Sequence, residues 1–600
     1  MTAGREALAK VRALLARGEA EQALAALKAL VAEAPADLFP RGAWRVHELF
    51  GAAFRLLADA EGCAQAAYEA ALADRVLRSQ REHVSGYLFA LHYLPGVTAE
   101  QMAAAIFAGA QVYTGTVENA PSQTDGGALL SSSAASPFGG GAEHREAEGA
   151  HRLETEKIAQ TTADGQKAFV PEAGEAADGE IEQRETKKGV SASLVPSKIR
   201  VGFLAPDFLD SAAARFYAAL LDLPREAFAV FCYSLSAAED EFTARVRART
   251  TYRVLGTEDF DAAAEAIRAD GLHVLVDLGG HTAGGHTLAV LAAIKEGRGQ
   301  DLASARGQEQ GTTHFLKDAS KAAAQTAETA PSLAASSTAP SPTVVEAVGW
   351  FDTTGVSGVD YFLTDAVTDG AGAERYFSEK LLRLSSAWCF TPSLAMAVVR
   401  TGTVGRKEVA AARPVLLGCF GNFLKITDEV LVVWAEILRR APRARLILQD
   451  TMCVPSRVRA LAARAEAAGL PLARVRIRMG TEHYLSELVR LDLMLDTFPY
   501  PGGGMTATAI YLGVPVLTLA GTRHSARLGV SLLTAAGLPE LVAADRAAYI
   551  EKAVQLASNA EALPSLRCGL AEKVRASRLC DRSSYTAEWV AALKKITPLG

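Results

Sequence analysis

From about residue 198 to residue 600, short apolar runs alternate with helical patterns, and this alternation restricts the possible folds more than any other feature. In the first half the runs are KIRVGFLA (198–205), FAVFCYSL (228–235), HVLVDLGG (273–280), VDYFLT (359–364) and KLLRL (380–384). In the second they are PVLLGCF (414–420), RLILQD (445–450), RVRIRM (474–479), LDLMLDT (491–497) and PVLTLA (515–520), with helices such as 427–440 between them. Near-continuous apolar character predicts strands buried on both faces, hence parallel sheets covered by helices. The expectation is an α/β protein of two doubly wound, Rossmann-like lobes, 198–391 and 392–600, with a ligand cleft between the carboxyl ends of their strands.

Residues 1–113 read differently, as helices almost without strand signal. Leu8, Val11, Leu14 and Leu15 share a face before Gly18, Leu24, Leu27 and Leu30 follow, and a second pair is predicted over 43–58 and 62–74. Ala64, Ala67, Ala70 and Ala71 would let antiparallel helices approach closely, so the region is either a tetratricopeptide-like binding platform or a plain helical cap. Residues 114–197 are rich in Gly, Ser, Ala and Glu and too poor in apolar residues to offset ordering entropy, which predicts a disordered linker. A second such run, 295–341, is predicted to be a flexible insertion in the first lobe.

The chain-wide balance excludes several partner classes. A net charge of −6 gives no electrostatic reason for nucleic-acid binding. No run approaches the eighteen apolar residues of a membrane span, and the charged, amphipathic start does not read as a signal peptide. Seven scattered cysteines without a CxxC pair suit a reducing cytoplasm, the expected location.

Two loops of the second lobe favour phosphate. Gly502, Gly503 and Gly504 precede a helix starting near Met505, where close backbone approach and unpaired amides suit a diphosphate; a merely tight connection is the alternative. Asn422 and Lys425 occupy the loop after 414–420, and a lysine there can neutralise a departing phosphate, unless it is simply a solvated loop residue. In the first lobe, Asp270 and His273 lie at the start of the strand run 273–280, whereas Gly280, His281 and Thr282 at its far end are expected to face the cleft. His281 could donate to an anion or accept a proton near neutral pH. The spacing of His273, His281 and His286 fits no standard metal pattern, so no metal site is expected. The loop DFLDSAAARF (207–216), with Asp207 and Ser211, is expected to line the cleft.

Taken in order, RVGFLAPDF, DGLHVLVDLGGHTAG, GNFLKITDEVLVVWAEIL, LDTFPYPGGGMT and LGVPVLTLAGTRHSARLGVSLL resemble the bacterial relatives of the O-linked N-acetylglucosamine transferase and SPINDLY family. The resemblance implies tetratricopeptide-like helices before a metal-independent, two-lobed glycosyltransferase of the GT-B type. It implies inverting transfer of N-acetylglucosamine from UDP-GlcNAc, or in SPINDLY proteins of fucose, to Ser or Thr of a protein acceptor. No cofactor beyond the nucleotide-sugar donor is implied, and flagellin or another surface protein is the acceptor expected from bacterial relatives. By the same resemblance Lys425 contacts the donor diphosphate, Asn422 shares its loop, and Gly504, Met505 and Thr506 form the diphosphate-binding helix start. Asp270, His273 and His281 join Lys425 as candidate catalytic groups; Tyr484, aligned with a base-stacking position, and Arg527, aligned with an arginine beyond the next strand, are expected to bind the donor together with Gly503 and Thr508.

There are departures. Ser211 stands where the family commonly has a histidine, Gly503 replaces the histidine of an HTT pattern, and Thr508 replaces an acid expected to bind the ribose. Gln449 and Ser385 also replace a basic residue and a proline. The expectation is therefore an active glycosyltransferase, with a catalytically weak homologue acting as a protein-binding subunit as the alternative. An epimerase of similar build is disfavoured by the helical amino-terminal region.

Overall fold

The computed structural model describes residues 3–33, 43–73, 77–113, 198–295, 341–399 and 413–597. The expected linker at 114–197 lies outside them, as does the 295–341 insertion apart from its two end residues.

The amino-terminal region holds six helices among the described residues: α1 (Ala3–Ala16), α2 (Ala20–Glu33), α3 (Ala43–Leu56), α4 (Ala60–Ala73), α5 (Leu77–Leu91) and α6 (Ala99–Gly109). Its apolar faces pair as the periodicity predicts. Leu8, Val11 and Leu14 meet Leu27, Leu30, Val46 and Phe50 in one core, and Ala64 and Ala71 of α4 pack in a second that runs on into the first lobe. Thr98 and Gln101 form a reciprocal capping box that starts α6.

Each lobe is a wholly parallel sheet. The first has seven strands in the order β3, β2, β1, β4, β5, β6, β7, and the second has six in the order β10, β9, β8, β11, β12, β13. The first comprises Ile199–Ala205, Phe228–Ser234, Thr251–Val254, Val274–Asp277, Thr343–Glu346, Tyr361–Asp365 and Lys380–Leu384, as β1 to β7. The second comprises Val415–Phe420, Ala444–Gln449, Val475–Arg478, Leu493–Leu495, Val516–Leu519 and Val542–Ala543, as β8 to β13. In both sheets the order reverses direction beside the first strand, β1 or β8, and such a switch point opens a crevice at the carboxyl ends.

The ten expected strands are present, and three more appear. β3 is an exposed edge strand without an apolar run, β5 directly follows the low-complexity stretch, and β13 has only two residues. The lobes are not independent. The last helix, Arg582–Ile596, returns to the first lobe, where Trp589 Nε1 donates to the Leu220 carbonyl at 3.2 Å and the Tyr585 hydroxyl to that of Ala387 at 3.0 Å. Among the described residues no helix is long and apolar enough to cross a membrane.

Candidate active site

Lys425 ends a short 3-10 turn, Phe423–Lys425, that follows β8. Asn422 shapes this turn: its side-chain oxygen accepts from the Leu424 amide at 3.0 Å and from Arg457 Nη2 at 2.6 Å. Arg457 is itself fully buried, paired with Asp450 at 2.5 Å. Asn422 is thus committed to the loop through its oxygen. The Lys425 ammonium crosses to the other phosphate-favouring loop, donating to the Pro501 carbonyl at 2.8 Å. Burial lowers its pKa to about 8, against the opposing pull of Asp496 and Cys419, so it is mostly charged at neutral pH yet poorly solvated.

The helix Gly504–Tyr511 has no side-chain cap at its amino end, which leaves the first-turn amides for another partner. The turn before it is organised by Asp496, an acid at the end of β11 not singled out from sequence. Its carboxylate accepts from the amides of Gly502 at 2.6 Å and Thr497 at 3.1 Å, and from the hydroxyls of Thr518 at 3.0 Å and Thr506 at 3.3 Å. Burial raises Asp496 to about 6. The signal available in sequence was an acid directly after the apolar Leu493–Leu495, at the edge from which the glycine turn departs. Thr506 therefore turns its hydroxyl inward, and Thr508 donates its own to the Gly504 carbonyl at 2.6 Å, within the helix. What this segment presents is backbone.

Gly503 and Gly504 are glycines for packing reasons. A β-carbon on Gly503 would lie 2.9 Å from Leu528 Cδ2, and one on Gly504 would lie 2.8 Å from the β-carbon of Ala212. Ala212 belongs to the 207–216 loop, so the first lobe rests directly on the helix start. Within that loop Asp207 accepts from the Leu209 amide at 3.1 Å and Ser211 from the Ala214 amide at 3.1 Å, so both serve local turns. Tyr484 opens the helix Tyr484–Leu488 across the cleft, within electrostatic reach of Asp210 and Arg215.

Three expected catalytic groups lie elsewhere. His281 is 1% exposed, and both ring nitrogens are engaged, Nδ1 with Ser85 Oγ at 3.0 Å and Nε2 with the Thr354 carbonyl at 2.8 Å. Burial lowers its pKa to about 4, so it is a neutral strut between α5 and the first lobe and not a proton acceptor in the cleft. Gly280 and Thr282 share this buried turn: a β-carbon on Gly280 would strike Trp350, and the Thr282 hydroxyl donates to the Gly279 carbonyl. The expectation that these residues line an open cleft fails because α5 covers that end of β4. Asp270 and His273 precede β4 and so sit at the amino edge of the sheet. Asp270 accepts from Arg253 at 2.7 Å and the Tyr233 hydroxyl at 2.8 Å, and His273 Nδ1 accepts from the Arg200 amide at 2.9 Å.

Arg527, expected at the donor, instead clasps the lobes together. It donates to the carbonyls of Val367 at 2.7 Å, Thr368 at 3.1 Å and Gly521 at 3.1 Å. Asp369 and His524 add a buried 2.7 Å pair across the same seam, and Ser531 donates to Asp365 at 2.6 Å. Among the described residues no group of three or more His, Cys, Asp or Glu is placed to hold a metal ion.

Residues 183–294 and 404–589 match the model of Glycosyl transferase family 41. The chain belongs to this family. A relative named as a probable UDP-N-acetylglucosamine-peptide N-acetylglucosaminyltransferase SPINDLY, from Solanum lycopersicum, is 37% identical over 253 residues, 41% of this chain and 26% of that protein. The protein of the same name from Arabidopsis thaliana is 29% identical over 409 residues, 66% of this chain and 39% of that one. The family 41 chain thus matches only about a quarter to two fifths of the length of these relatives. A mutant O-GlcNAc transferase of Thermobaculum terrenum superposes with a TM-score of 0.64 at 21% identity, covering 99% of each chain, and shows the fold. The family 41 chain is of the GT-B type, with helices before two α/β lobes.

Proposed function

We propose that this family 41 protein is a glycosyltransferase that moves a sugar from a nucleotide donor, UDP-GlcNAc by preference, to Ser or Thr hydroxyls of a polypeptide. One observation carries the reading: the Lys425 ammonium is bonded to Pro501, three residues before the uncapped helix start at Gly504, and Ala212 of the opposite lobe closes over that start. A cation and a set of free amides in one cleft suit a diphosphate. The names of the SPINDLY relatives support the donor and the peptide acceptor.

In the reaction the acceptor hydroxyl oxygen attacks the anomeric carbon from the first-lobe side as the bond to the diphosphate oxygen breaks. A single displacement inverts the configuration. The nucleoside diphosphate leaves with the bonding pair, Lys425 and the amides of Gly504, Met505 and Thr506 spread its charge, and the acceptor proton passes to solvent. Tyr484 stacks on the base, in keeping with the family position it resembles. The chain's own cation supplies the charge stabilisation, so no metal is required, and the site of action is the cytoplasm.

The alternative is a catalytically weak homologue that binds a protein within a glycosylation system. It is favoured by the commitments of Thr508, Ser211 and His281 to internal hydrogen bonds, which leave neither a ribose acid nor a histidine base at the expected places. A screen of several nucleotide sugars with polypeptide acceptors, read by release of free nucleotide, separates the two. Turnover that Lys425→Ala abolishes supports transfer; nucleotide binding without release from any donor supports the alternative.

A further inference from the structure

Lys425 has a second neighbour besides the Pro501 carbonyl. Its Nζ stands 3.9 Å from the centre of the Tyr500 ring, well inside the ~6 Å range of cation–π attraction. Tyr500 is 4% exposed, and burial lifts its hydroxyl well above the ordinary range, so the ring facing the ammonium is neutral at every working pH.

The ring is held from outside the lobe. Tyr93 lies 5.4 Å and His92 5.6 Å from it, centre to centre, with Phe89 at 6.4 Å and Phe351 at 5.9 Å. Phe89 belongs to α5, and His92 and Tyr93 to the turn that follows it. Arg523 locks that turn onto the second lobe, donating to the carbonyls of Leu91 and His92 at 3.4 and 2.7 Å. From the other side the Thr497 hydroxyl donates to the Tyr500 carbonyl at 2.8 Å.

We propose that Tyr500 is a positioning residue: its ring face seats the Lys425 ammonium toward the donor diphosphate, and the end of α5 keeps that ring in place. The proposal rests on the donor-site reading above. A lysine on a flexible stem with one hydrogen bond samples many rotamers, and each must be given up on binding. A ring face on one side and a carbonyl on another restrict the ammonium beforehand, with its remaining N–H groups left for the ligand. The titratable and charged groups facing Lys425 are Asp496 and the Cys419 thiol, and those around Tyr500 are Tyr93, His92 and Arg523; Cys419 and Tyr93 stay protonated and neutral because they are buried. None of them replaces the ring. The helical region is then a wall of the donor site and more than a platform for acceptors.

The test titrates Lys425 directly in the ligand-free full chain, by competitive acetylation across pH with quantification of the Lys425 peptide by mass spectrometry. Tyr500→Phe keeps the ring and is expected to titrate like the natural chain. Tyr500→Leu removes the ring face, and its midpoint is expected to fall by roughly half to one pH unit. UDP affinity in Tyr500→Leu should fall about three- to tenfold while uridine affinity holds. Equal midpoints for Leu, Phe and the natural chain overturn the proposal. Should Tyr500→Leu lose its native circular dichroism, Tyr93→Leu takes its place: a smaller shift in the same direction supports the role of α5, and no shift overturns it. Because the titration needs no donor, failure of the natural chain to bind UDP defeats the donor-site reading and leaves the Tyr500 result separately decided.

Discussion

Gly504 and Ala212 meet across the cleft: a β-carbon on the glycine would lie 2.8 Å from that of the alanine. The contact sets how closely the first lobe approaches the helix start. Gly504→Ala is expected to push the lobes apart by up to about 1 Å and to lower transfer roughly a hundredfold, the usual cost of such a misplacement. Ala212→Gly in the same chain should recover much of that loss, since it removes the opposing methyl. Nucleotide-release rates of the two single variants and the double variant decide it; no recovery in the double variant places the damage elsewhere.

The lowered pKa of Lys425 gives a pH signature. Below about 8 the side chain is an ammonium and attracts a diphosphate, and above it the charge is lost. UDP affinity is therefore expected to fall as pH rises through about 8, and between about 8 and 10 binding should be accompanied by proton uptake, because the bound anion favours the charged form. Calorimetry in buffers of different ionisation enthalpy measures both quantities.

Burial shifts the pKa of Asp496 in the other direction, upward. Its folded value of about 6 exceeds that of the unfolded chain, so the folded state binds the extra proton and stability falls as pH rises from about 4 through about 6. Asp496→Asn should flatten this dependence, read from urea midpoints at pH 5 and 7.5. It should also weaken UDP binding, because one amide oxygen cannot replace a carboxylate that accepts from Gly502, Thr497, Thr506 and Thr518.

His281→Ala distinguishes a strut from a base. Loss of two buried hydrogen bonds to Ser85 and Thr354 is expected to cost about 1–3 kcal/mol of stability, measured by urea unfolding. Transfer per folded molecule should stay as in the natural chain. A drop of about a hundredfold or more in rate, typical for a lost general base, would restore the histidine to the chemistry.

Much of the frame was legible in the sequence. Strands such as Val415–Phe420 and Phe228–Ser234 lie within runs whose apolar character declared their burial, and the parallel order followed from the helices between them. β3 was hidden because an exposed edge strand needs no apolar alternation, and β5 because it adjoins a stretch of low-complexity sequence. At the site, Lys425 and the glycines could be read because spacing after a strand fixes which edge a loop occupies. The place of His281 could not. It depends on α5, almost two hundred positions away, whose Ser85 reaches the imidazole. Thr508, Ser211 and Arg527 follow the same logic: residue type shows that a group can bond a ligand, and only packing shows that a carbonyl or amide has already claimed it.

The most direct test compares UDP with uridine by calorimetric titration into the natural chain and into Lys425→Ala. If the ammonium and the amides near Gly504 act on one diphosphate, UDP binds the natural chain at least a hundredfold more tightly than uridine, and Lys425→Ala loses about tenfold or more of that margin while binding uridine unchanged. Equal affinity for UDP and uridine, or an undiminished margin in Lys425→Ala, would contradict the account.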